Sequence, residues 1–250
     1  MNYTAEINGM EVRAVFPDEN VDEIWLPLLK RLTEMQEKKG SRLLVMLAAP
    51  PGAGKSTLAA FLKELSGRTA GVTPVTVIGM DGFHRKQEYL LSHMTERNGV
   101  SIPMVEIKGA PETFDLEALT ERVRRVAAGE AAGWPEYDRM THDPKENAIR
   151  VSGDVVLLEG NYLLLDTDGW RDLKRFADYT IRISAPREML RARLISRKLK
   201  SGSGSSEEAA VRFVEFSDLA NADLCLAKSM QADLDLELRE DGSFAVREDM

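Results

Sequence analysis

The 250-residue sequence contains only one cysteine, Cys225, and three histidines. A single thiol cannot form an intramolecular disulfide, and so few histidines leave no ligand set for a structural zinc ion. Leu224 and Leu226 flank the cysteine, so we expect a buried, inert thiol. These shortages exclude a disulfide-stapled fold and a zinc-stabilised fold.

The chain also lacks a long apolar run and an excess of basic residues. No apolar stretch approaches the roughly 20 residues of a membrane span, and "MNYTAEINGM" at the N-terminus lacks the pattern of a signal peptide. The net charge of −8 argues against a nucleic-acid partner, because affinity for polyphosphate comes mostly from clustered Lys and Arg. We therefore expect a cytoplasmic protein without a membrane or nucleic-acid partner.

The stretch "RLLVMLAAPPGAGKSTLAAFL" combines three local patterns in one order. Residues 42–48 form a continuous apolar run, which is typical of a strand buried on both faces of a parallel sheet. A glycine-containing turn follows, and then an amphipathic helix begins. The turn matches G-x-x-x-x-G-K-[ST] except that Ala49 replaces the first glycine, which requires a negative φ there.

This order of strand, loop and helix predicts a phosphate-binding loop. Backbone N–H groups around Gly52 and Gly54 can surround phosphate oxygens, and the helix directs its positive dipole end to the same place. Lys55 would then reach the β- and γ-phosphates, while the Ser56 hydroxyl would ligate Mg²⁺. A glycine-rich turn that only caps a helix is the alternative.

Further along the chain, buried strands alternate with amphipathic helices. This alternation predicts an α/β fold of the P-loop NTPase type, a three-layer arrangement with a mostly parallel sheet flanked by helices. Asn8-Gly9 and Asp241-Gly242 predict small hairpins at the N- and C-termini. Asp18 is a plausible N-cap for a helix that ends at Gly40 and that Pro27 kinks. The Gly/Ser segment 201–206 is expected to be mobile.

Ligands of such folds bind at the carboxyl ends of the strands, which selects two acidic residues. Asp81 follows a predicted strand that ends at this residue, where a carboxylate could accept a proton from a substrate hydroxyl. An Asx-turn is the equally weighted alternative. Glu159 ends "VVLLE", which would place a carboxylate beside the loop and its metal; a solvated strand end is the alternative.

Two other segments carry chemistry-bearing side chains. "WPEYDRMTHDP" is unusually rich in Tyr, Asp, Arg and His, although it could be a surface loop that Trp134 anchors to the core. "REMLRARLISRK" places several arginines on one helix beside the Gly/Ser segment. Such a helix could close over phosphates and stabilise developing charge, or it could simply present a solvated face.

Several motifs together resemble a known superfamily. "APPGAGKST", "MDGFHR", "KGAPETFDLEAL", "PEYDRMTH" and "LLEGNYLLL", in this order, are similar to the uridine kinase, pantothenate kinase and phosphoribulokinase superfamily of P-loop kinases. "DGFH" with "KGAPETFD" is most similar to pantothenate kinase, whereas "EYDRMTH" is similar to uridine kinase. "EGNYLLL", "LISRK" and "SDLANADL" resemble bacterial proteins labelled nucleoside/nucleotide kinase or fructose transport system kinase.

The resemblance implies a role for each matching position. It implies that ATP and Mg²⁺ are bound by the loop residues Gly52, Ala53, Gly54, Lys55, Ser56 and Thr57, with Glu159 at the metal. Asp81 would be the base, and Arg193 would belong to a lid formed by residues 187–206. His84, Arg85, Tyr137 and His142 would face the acceptor. Ser217, Asp218 and Asn221 would lie near the adenine.

The sequence thus predicts residues 1–40 as a hairpin and helix packed on a kinase domain of residues 41–250. The expected activity is ATP-dependent transfer of a γ-phosphate to a hydroxyl of a small metabolite: a nucleoside, a pantothenate-like compound or a sugar. A nucleotide hydrolase and an ATP-binding regulator are the alternatives, and a homodimer is left open. The absence of an Asn-Lys-x-Asp motif disfavours a GTPase switch.

Overall fold

The strands of the protein form one large sheet and several hairpins. The computed structural model describes residues 1–7, 10–97, 99–200 and 206–247. Its strands are β1 (Asn2–Ile7), β2 (Met10–Val15), β3 (Leu43–Ala48), β4 (Val75–Gly79), β5 (Met94–Arg97), β6 (Val100–Pro103), β7 (Ala132–Asp138), β8 (Asp143–Val151), β9 (Val155–Gly160), β10 (Tyr179–Ser184), β11 (Leu234–Leu238) and β12 (Phe244–Val246).

Helices connect and cover these strands. The α-helices are α1 (Asp18–Asn20), α2 (Leu26–Lys39), α3 (Lys55–Arg68), α4 (Gln87–Ser92), α5 (Leu116–Ala127), α6 (Arg187–Lys200), α7 (Glu207–Phe213) and α8 (Leu219–Lys228). Short 3₁₀ segments occupy Met80–Phe83, Met104–Ile107, Pro111–Thr113 and Trp170–Phe176, and π-helical turns occupy Val21–Trp25 and Val214–Asp218. Within the described ranges, no helix is both long and apolar enough to cross a bilayer.

The large sheet has the strand order β12-β11-β10-β3-β9-β4. All neighbouring pairs are parallel except β11 and β12, which are antiparallel. The predicted C-terminal hairpin is therefore present, and its first strand also extends the parallel sheet. The α/β fold with a mostly parallel sheet is confirmed.

Two hydrophobic clusters cover the two faces of this sheet. Every residue of β3 is buried, as its unbroken apolar run predicts. Because side chains alternate along a strand, Val45 and Leu47 enter one cluster, while Leu44 and Met46 enter the other. The first cluster also takes in side chains of the N-terminal segment and α3, and the second takes in side chains of α5. The result is the predicted three-layer arrangement.

The N-terminal segment follows the prediction except at the start of its helix. The hairpin β1–β2 pairs from Asn2 with Val15 to Ile7 with Met10, while the turn at positions 8 and 9 lies outside the described residues. Asp18 is the first helical residue rather than the N-cap, because Pro17 holds the extended backbone of the cap position. Gly40 ends α2 with φ 67°, as expected.

The disturbance predicted at Pro27 takes the form of a π-helical turn just before it. The amide of Leu26 donates to the carbonyl of Val21, five residues back, and Pro27 then occupies the first turn of α2. Proline has no N–H, so its best place is a helix start.

Cys225 is buried, as predicted, and burial raises the pKa of its thiol to about 12, so little of the reactive thiolate forms at neutral pH.

Candidate active site

The loop between β3 and α3 has the backbone conformation that phosphate binding needs. Gly52 and Gly54 have φ values of 87° and 84°, in the left-handed region that favours glycine. Ala49 is not among the residues with positive φ, so the alanine at the first glycine position is accommodated as predicted. The loop ends at the N-terminus of α3, where unpaired N–H groups attract anions.

Three side chains lie close together beside this loop, those of Lys55, Ser56 and Glu159. The Ser56 hydroxyl donates to Glu159 Oε1 at 2.9 Å, and Lys55 Nζ lies 4.0 Å from Glu159 Oε2. Glu159 Oε2 is buried and has no hydrogen-bond partner among the described residues. Burial raises the pKa of Glu159, and Lys55 opposes this shift. A buried carboxylate oxygen without a donor beside a serine hydroxyl fits the oxygen ligands that Mg²⁺ requires.

Asp81 faces the same space from the neighbouring strand. β4 ends at Gly79 rather than at Asp81, and the chain then turns into the 3₁₀ segment Met80–Phe83. Asp81, Ser56 and Glu159 line one cleft of about 220 Å³, which we call the acceptor cleft. Burial acts to raise the pKa of Asp81, but Lys55 and other nearby cations outweigh it and hold the pKa below its usual value. These charges favour the ionised form of Asp81.

The turn that carries Asp81 is fixed by close packing against β7. A Cβ on Gly82 would overlap the carbonyl oxygen of Pro135, so only glycine allows this approach. Trp134, which is fully buried, donates from Nε1 to the carbonyl of Gly79 at 2.8 Å. Trp134 thus anchors its segment to the core, as the surface-loop alternative held, but the segment is not a loop: β7 pairs with β8 to form a hairpin that the sequence pattern did not indicate.

His84 and Tyr137 lie together beside Asp81. The His84 ring stacks on Phe114 with centroids 4.0 Å apart, and the Tyr137 ring meets it edge-on at 5.1 Å. Burial lowers the pKa of His84 to about 4, with Lys108 adding to the shift and Asp81 opposing it. His84 Nδ1 is buried without a partner in the described part of the chain. A neutral imidazole next to the cleft can bind a polar group of an acceptor.

Arg85 and His142, two of the predicted acceptor residues, do not line the acceptor cleft. Arg85 pairs with Asp115 at 3.5 Å and covers the Tyr89 ring, and it is not among the residues that line the acceptor cleft. His142 is exposed at the β7–β8 turn with φ 59°, and the lining of the cleft does not include it. The structure therefore brings Tyr137 to the cleft and His84 beside it, but not Arg85 or His142.

Two cations near the cleft were not identified as site residues from the sequence. Arg139 lines the cleft, and its charge helps to lower the pKa of Asp81. Lys108 donates to Gln87 Oε1 at 2.7 Å and to the carbonyl of His142 at 2.9 Å, and it lies over the Tyr137 ring. Arg139 lies in "EYDRMTH" and Lys108 in "KGAPETFD", two motifs that carry the family resemblance. Membership in these motifs is the sequence signal that could have identified both residues.

A second cleft lies on the other side of the phosphate-binding loop. It has a volume of about 490 Å³, and we call it the nucleotide cleft. Gly52, Ala53, Gly54 and Thr57 line it together with Arg193 from α6. Burial lowers the pKa of Arg193, which is consistent with a half-buried guanidinium. The structure thus brings the predicted lid arginine to the predicted phosphate-binding residues.

The lid helix α6 also carries an arginine that the sequence analysis did not single out. Arg197 pairs with Asp218 at 3.7 Å, and its charge contributes to the lowered pKa of Asp81. A Cβ on Gly52 would contact Leu194 at 3.1 Å, so α6 packs directly on the loop. Positions 201–205 of the Gly/Ser segment lie outside the described residues.

Ser217 and Asn221 lie away from the nucleotide cleft. Both are buried, with 0% and 3% of their surface exposed, and neither lines that cleft. They lie four residues apart, and the Asn221 amide faces Gly109, in the segment before α5. Their predicted proximity to the adenine stays a prediction, because the structure shows only that they do not line this cleft.

Comparison with known proteins places this site in a family context. Residues 44–237 match the profile of the family described as "PRK: Phosphoribulokinase / Uridine kinase family". The chain is 38% identical over 245 residues to the Escherichia coli (strain K12) protein YggC, covering 98% of each. It is 27% identical to pantothenate kinase of Shewanella piezotolerans, covering 88% of this chain and 74% of the relative.

A solved structure is also similar. It is the crystal structure of a "putative fructose transport system kinase" from Silicibacter sp. TM1040, with 35% sequence identity and a TM-score of 0.69. The similarity covers 83% of this chain and 98% of that one. The sheet, the phosphate-binding loop and the flanking helices therefore have a precedent in an experimental structure of a related protein.

Proposed function

Because the chain belongs to the phosphoribulokinase / uridine kinase family, we propose that it is an ATP-dependent kinase that phosphorylates a hydroxyl of a small metabolite. The observation that carries this proposal is the shared acceptor cleft of Asp81, Ser56 and Glu159. A base and a metal-side carboxylate face one space, beside the loop that would hold the phosphates. That arrangement supports phosphoryl transfer better than nucleotide sensing alone.

In this proposal the loop residues Gly52 to Thr57 hold the phosphates of ATP. Their backbone N–H groups and the N-terminus of α3 contact the phosphate oxygens, and Lys55 neutralises part of the charge. Ser56 and Glu159 would hold Mg²⁺, and the unpartnered Oε2 of Glu159 supports this role. Mg²⁺, when bound, withdraws charge from the phosphate oxygens and orients them.

Asp81 is proposed as the general base. It accepts the proton of the acceptor hydroxyl as that oxygen bonds to the γ-phosphorus and the bond to the β–γ bridging oxygen breaks. Only an ionised carboxylate can accept the proton, and the positive charges of Lys55, Arg139 and Arg197 favour that form of Asp81. Arg193 and Lys55 would stabilise the charge that develops on the transferred group.

The acceptor is proposed to contact His84 and Tyr137, whereas Arg85 and His142, which do not line the cleft, are not assigned to it. A nucleoside, a pantothenate-like compound and a sugar all carry a suitable hydroxyl. The uridine kinase in the family description supports a nucleoside, and the pantothenate kinase relative supports a pantothenate-like compound. The similar structure described as a "putative fructose transport system kinase" supports a sugar. A cytoplasmic location and a homodimer stay predictions from the sequence.

The test is a screen of the purified protein with ATP and Mg²⁺ against pooled nucleosides, sugars and vitamins. ATP consumption should rise only with the pool that contains the acceptor, and mass spectrometry should find the acceptor heavier by one phosphoryl group. The Asp81→Asn variant is the matched control. Acceptor-independent ATP hydrolysis would favour a hydrolase instead, and ATP binding without turnover would favour a regulator.

A further inference from the structure

The N-terminal hairpin is held firmly against the helix that begins at the phosphate-binding loop. Tyr3 of β1 and Phe16, just after β2, are both buried against Phe61 of α3. The Phe16 and Phe61 rings stack with centroids 3.9 Å apart, and the Tyr3 ring meets Phe61 edge-on at 5.5 Å. Such aromatic packing fixes the hairpin relative to α3.

Polar contacts fix the base of the hairpin as well. The N-terminal amine donates to the carbonyl of Phe16 at 2.6 Å and pairs with Asp18 at 2.8 Å. Just beyond, the Asn20 side chain exchanges two hydrogen bonds with the backbone of Phe244, at 2.9 and 2.7 Å. The hairpin is therefore a fixed part of the fold, although it precedes the residues that match the family profile, 44–237.

The far end of β1 reaches the acceptor cleft. Side chains alternate along the strand, so Tyr3, Ala5 and Ile7 face the same side. Tyr3 packs on α3, and Ile7 lies at the end of this row and lines the cleft that contains Asp81. Ile7 is partly buried, and its exposed neighbour Glu6 also lines this cleft.

Ile7 is part of an apolar portion of the cleft lining. Ala60, one turn beyond Ser56 on α3, and Val77, on β4, line the cleft with it. Asp81 and Tyr137 supply polar groups to the same lining. An occupant of this cleft therefore meets both a carboxylate and an apolar wall.

We propose that the N-terminal hairpin forms a wall of the acceptor site and that Ile7 is a specificity-determining residue. The acceptor directs its reacting hydroxyl to Asp81 and packs an apolar part, an aliphatic group or the face of a ring, against Ile7. This inference rests on the proposed kinase function, because it assigns the acceptor cleft to the acceptor. It adds an apolar part to the chemical class of that acceptor.

The first test is kinetic and uses the acceptor that the screen identifies. Ile7→Ala removes the contribution of the hairpin to the apolar wall, so the KM for the acceptor should rise about tenfold, a typical loss for a shortened hydrophobic contact. The KM for ATP should stay within about twofold, since Ile7 does not line the nucleotide cleft. Thr4→Ala, on the exposed side of β1, is the matched control and should change neither value. An unchanged KM for the acceptor in a folded Ile7→Ala protein overturns the inference.

The second test reads the occupancy of the cleft without relying on turnover. The native Cys225 is buried with a raised pKa, so Ile7→Cys introduces the one readily alkylated thiol of the described chain. Alkylation by iodoacetamide is measured with ATP and Mg²⁺, with and without each metabolite pool. One pool should slow alkylation of Ile7→Cys by about threefold or more at saturating occupancy, while Thr4→Cys reacts at a constant rate.

The two readouts separate this inference from the kinase proposal. If the wild-type protein phosphorylates an acceptor that leaves the Ile7→Cys thiol unprotected, the kinase proposal stands and the hairpin inference is overturned. If a pool protects the thiol but no phosphoryl group is transferred, the cleft assignment is supported and the kinase proposal fails. If no pool gives either signal, both are overturned.

Discussion

The Ser56 hydroxyl donates a 2.9 Å hydrogen bond to Oε1 of Glu159, although 103 residues separate them in the sequence. β3 and β9 are adjacent parallel strands, with Leu47 opposite Glu159, so their carboxyl ends meet at one edge of the sheet. The serine follows β3 through the loop, and the glutamate is the last residue but one of β9. The strand order therefore brings the two oxygen ligands of the proposed metal site together.

Lys55→Ala should weaken ATP binding by at least about tenfold, because a charge-assisted hydrogen bond contributes about 1.5–3 kcal/mol. The substitution should leave the fold intact, since Lys55 contributes charge rather than packing. Binding is measured by calorimetry, and folding by the melting temperature. Lys63→Ala, an exposed lysine on the same helix, is the control and should bind ATP normally. Parental ATP turnover by Lys55→Ala would contradict the phosphate-binding role of the loop.

Asp81→Asn should reduce the transfer rate by about 10²- to 10⁴-fold, the usual contribution of a general base. ATP affinity should change little, because the amide keeps the shape of the carboxylate. The same preparation should be used for the transfer rate and for the melting temperature with and without ATP. A folded, ATP-binding variant with more than about a tenth of the parental rate would remove Asp81 from the base role.

Acidification should destabilise the protein through His84. Its pKa in the folded protein is about 4, below the 6.5 of an exposed imidazole, so between these values the unfolded chain binds the extra proton. The unfolding free energy should therefore fall as pH decreases from about 6.5 to 4, by about 2 kcal/mol from this group at pH 5. Urea unfolding of the wild type and of His84→Gln at pH 7 and pH 5 measures the effect. An equal pH dependence in both proteins would show that His84 is not buried as described.

Gly82→Ala should destabilise the protein by about 1–3 kcal/mol or more, because the new Cβ would overlap the Pro135 carbonyl and force the backbone apart. The displacement would also move Asp81, so transfer should fall together with the melting temperature. Gly67→Ala, in α3 with open space around its Cβ position, is the matched control and should be neutral or stabilising. Equal melting temperatures for the two variants would be inconsistent with this packing.

The backbone amides of α6, the predicted lid helix, should become more protected from hydrogen exchange when ATP and the acceptor are both present. Arg193 of α6 lines the nucleotide cleft, and the charge of Arg197 acts on Asp81. A bound phosphate would be a stronger partner for these charges than Asp218, which pairs with Arg197. Hydrogen exchange over residues 187–200 should slow with ATP and acceptor together, more than with either alone. Exchange in α5, on the other face of the sheet, is the internal reference. Unchanged exchange would favour a merely solvated helix.

The sequence by itself determined the features that depend on neighbouring residues. The apolar run of β3, the glycines of the loop and the helix that follows are local patterns, and each is present where it was predicted. Glu159 could also be selected, because a carboxylate directly after four aliphatic residues indicates the end of a buried strand. Alternation of strands and helices then predicted the parallel sheet.

The tertiary structure decided which side chains share a space. Arg139 and Arg197 lie in segments far apart in the chain, and only the tertiary packing brings their charges near Asp81. The same packing brings Lys108 to Tyr137 and near His84. Ser217, in the π-helical turn before α8, and Asn221, in α8, matched a family motif, yet both are buried and neither lines the nucleotide cleft. Ile7 had no local signal at all. Its place in the acceptor cleft follows from the aromatic packing of the hairpin on α3, a long-range contact that periodicity does not encode.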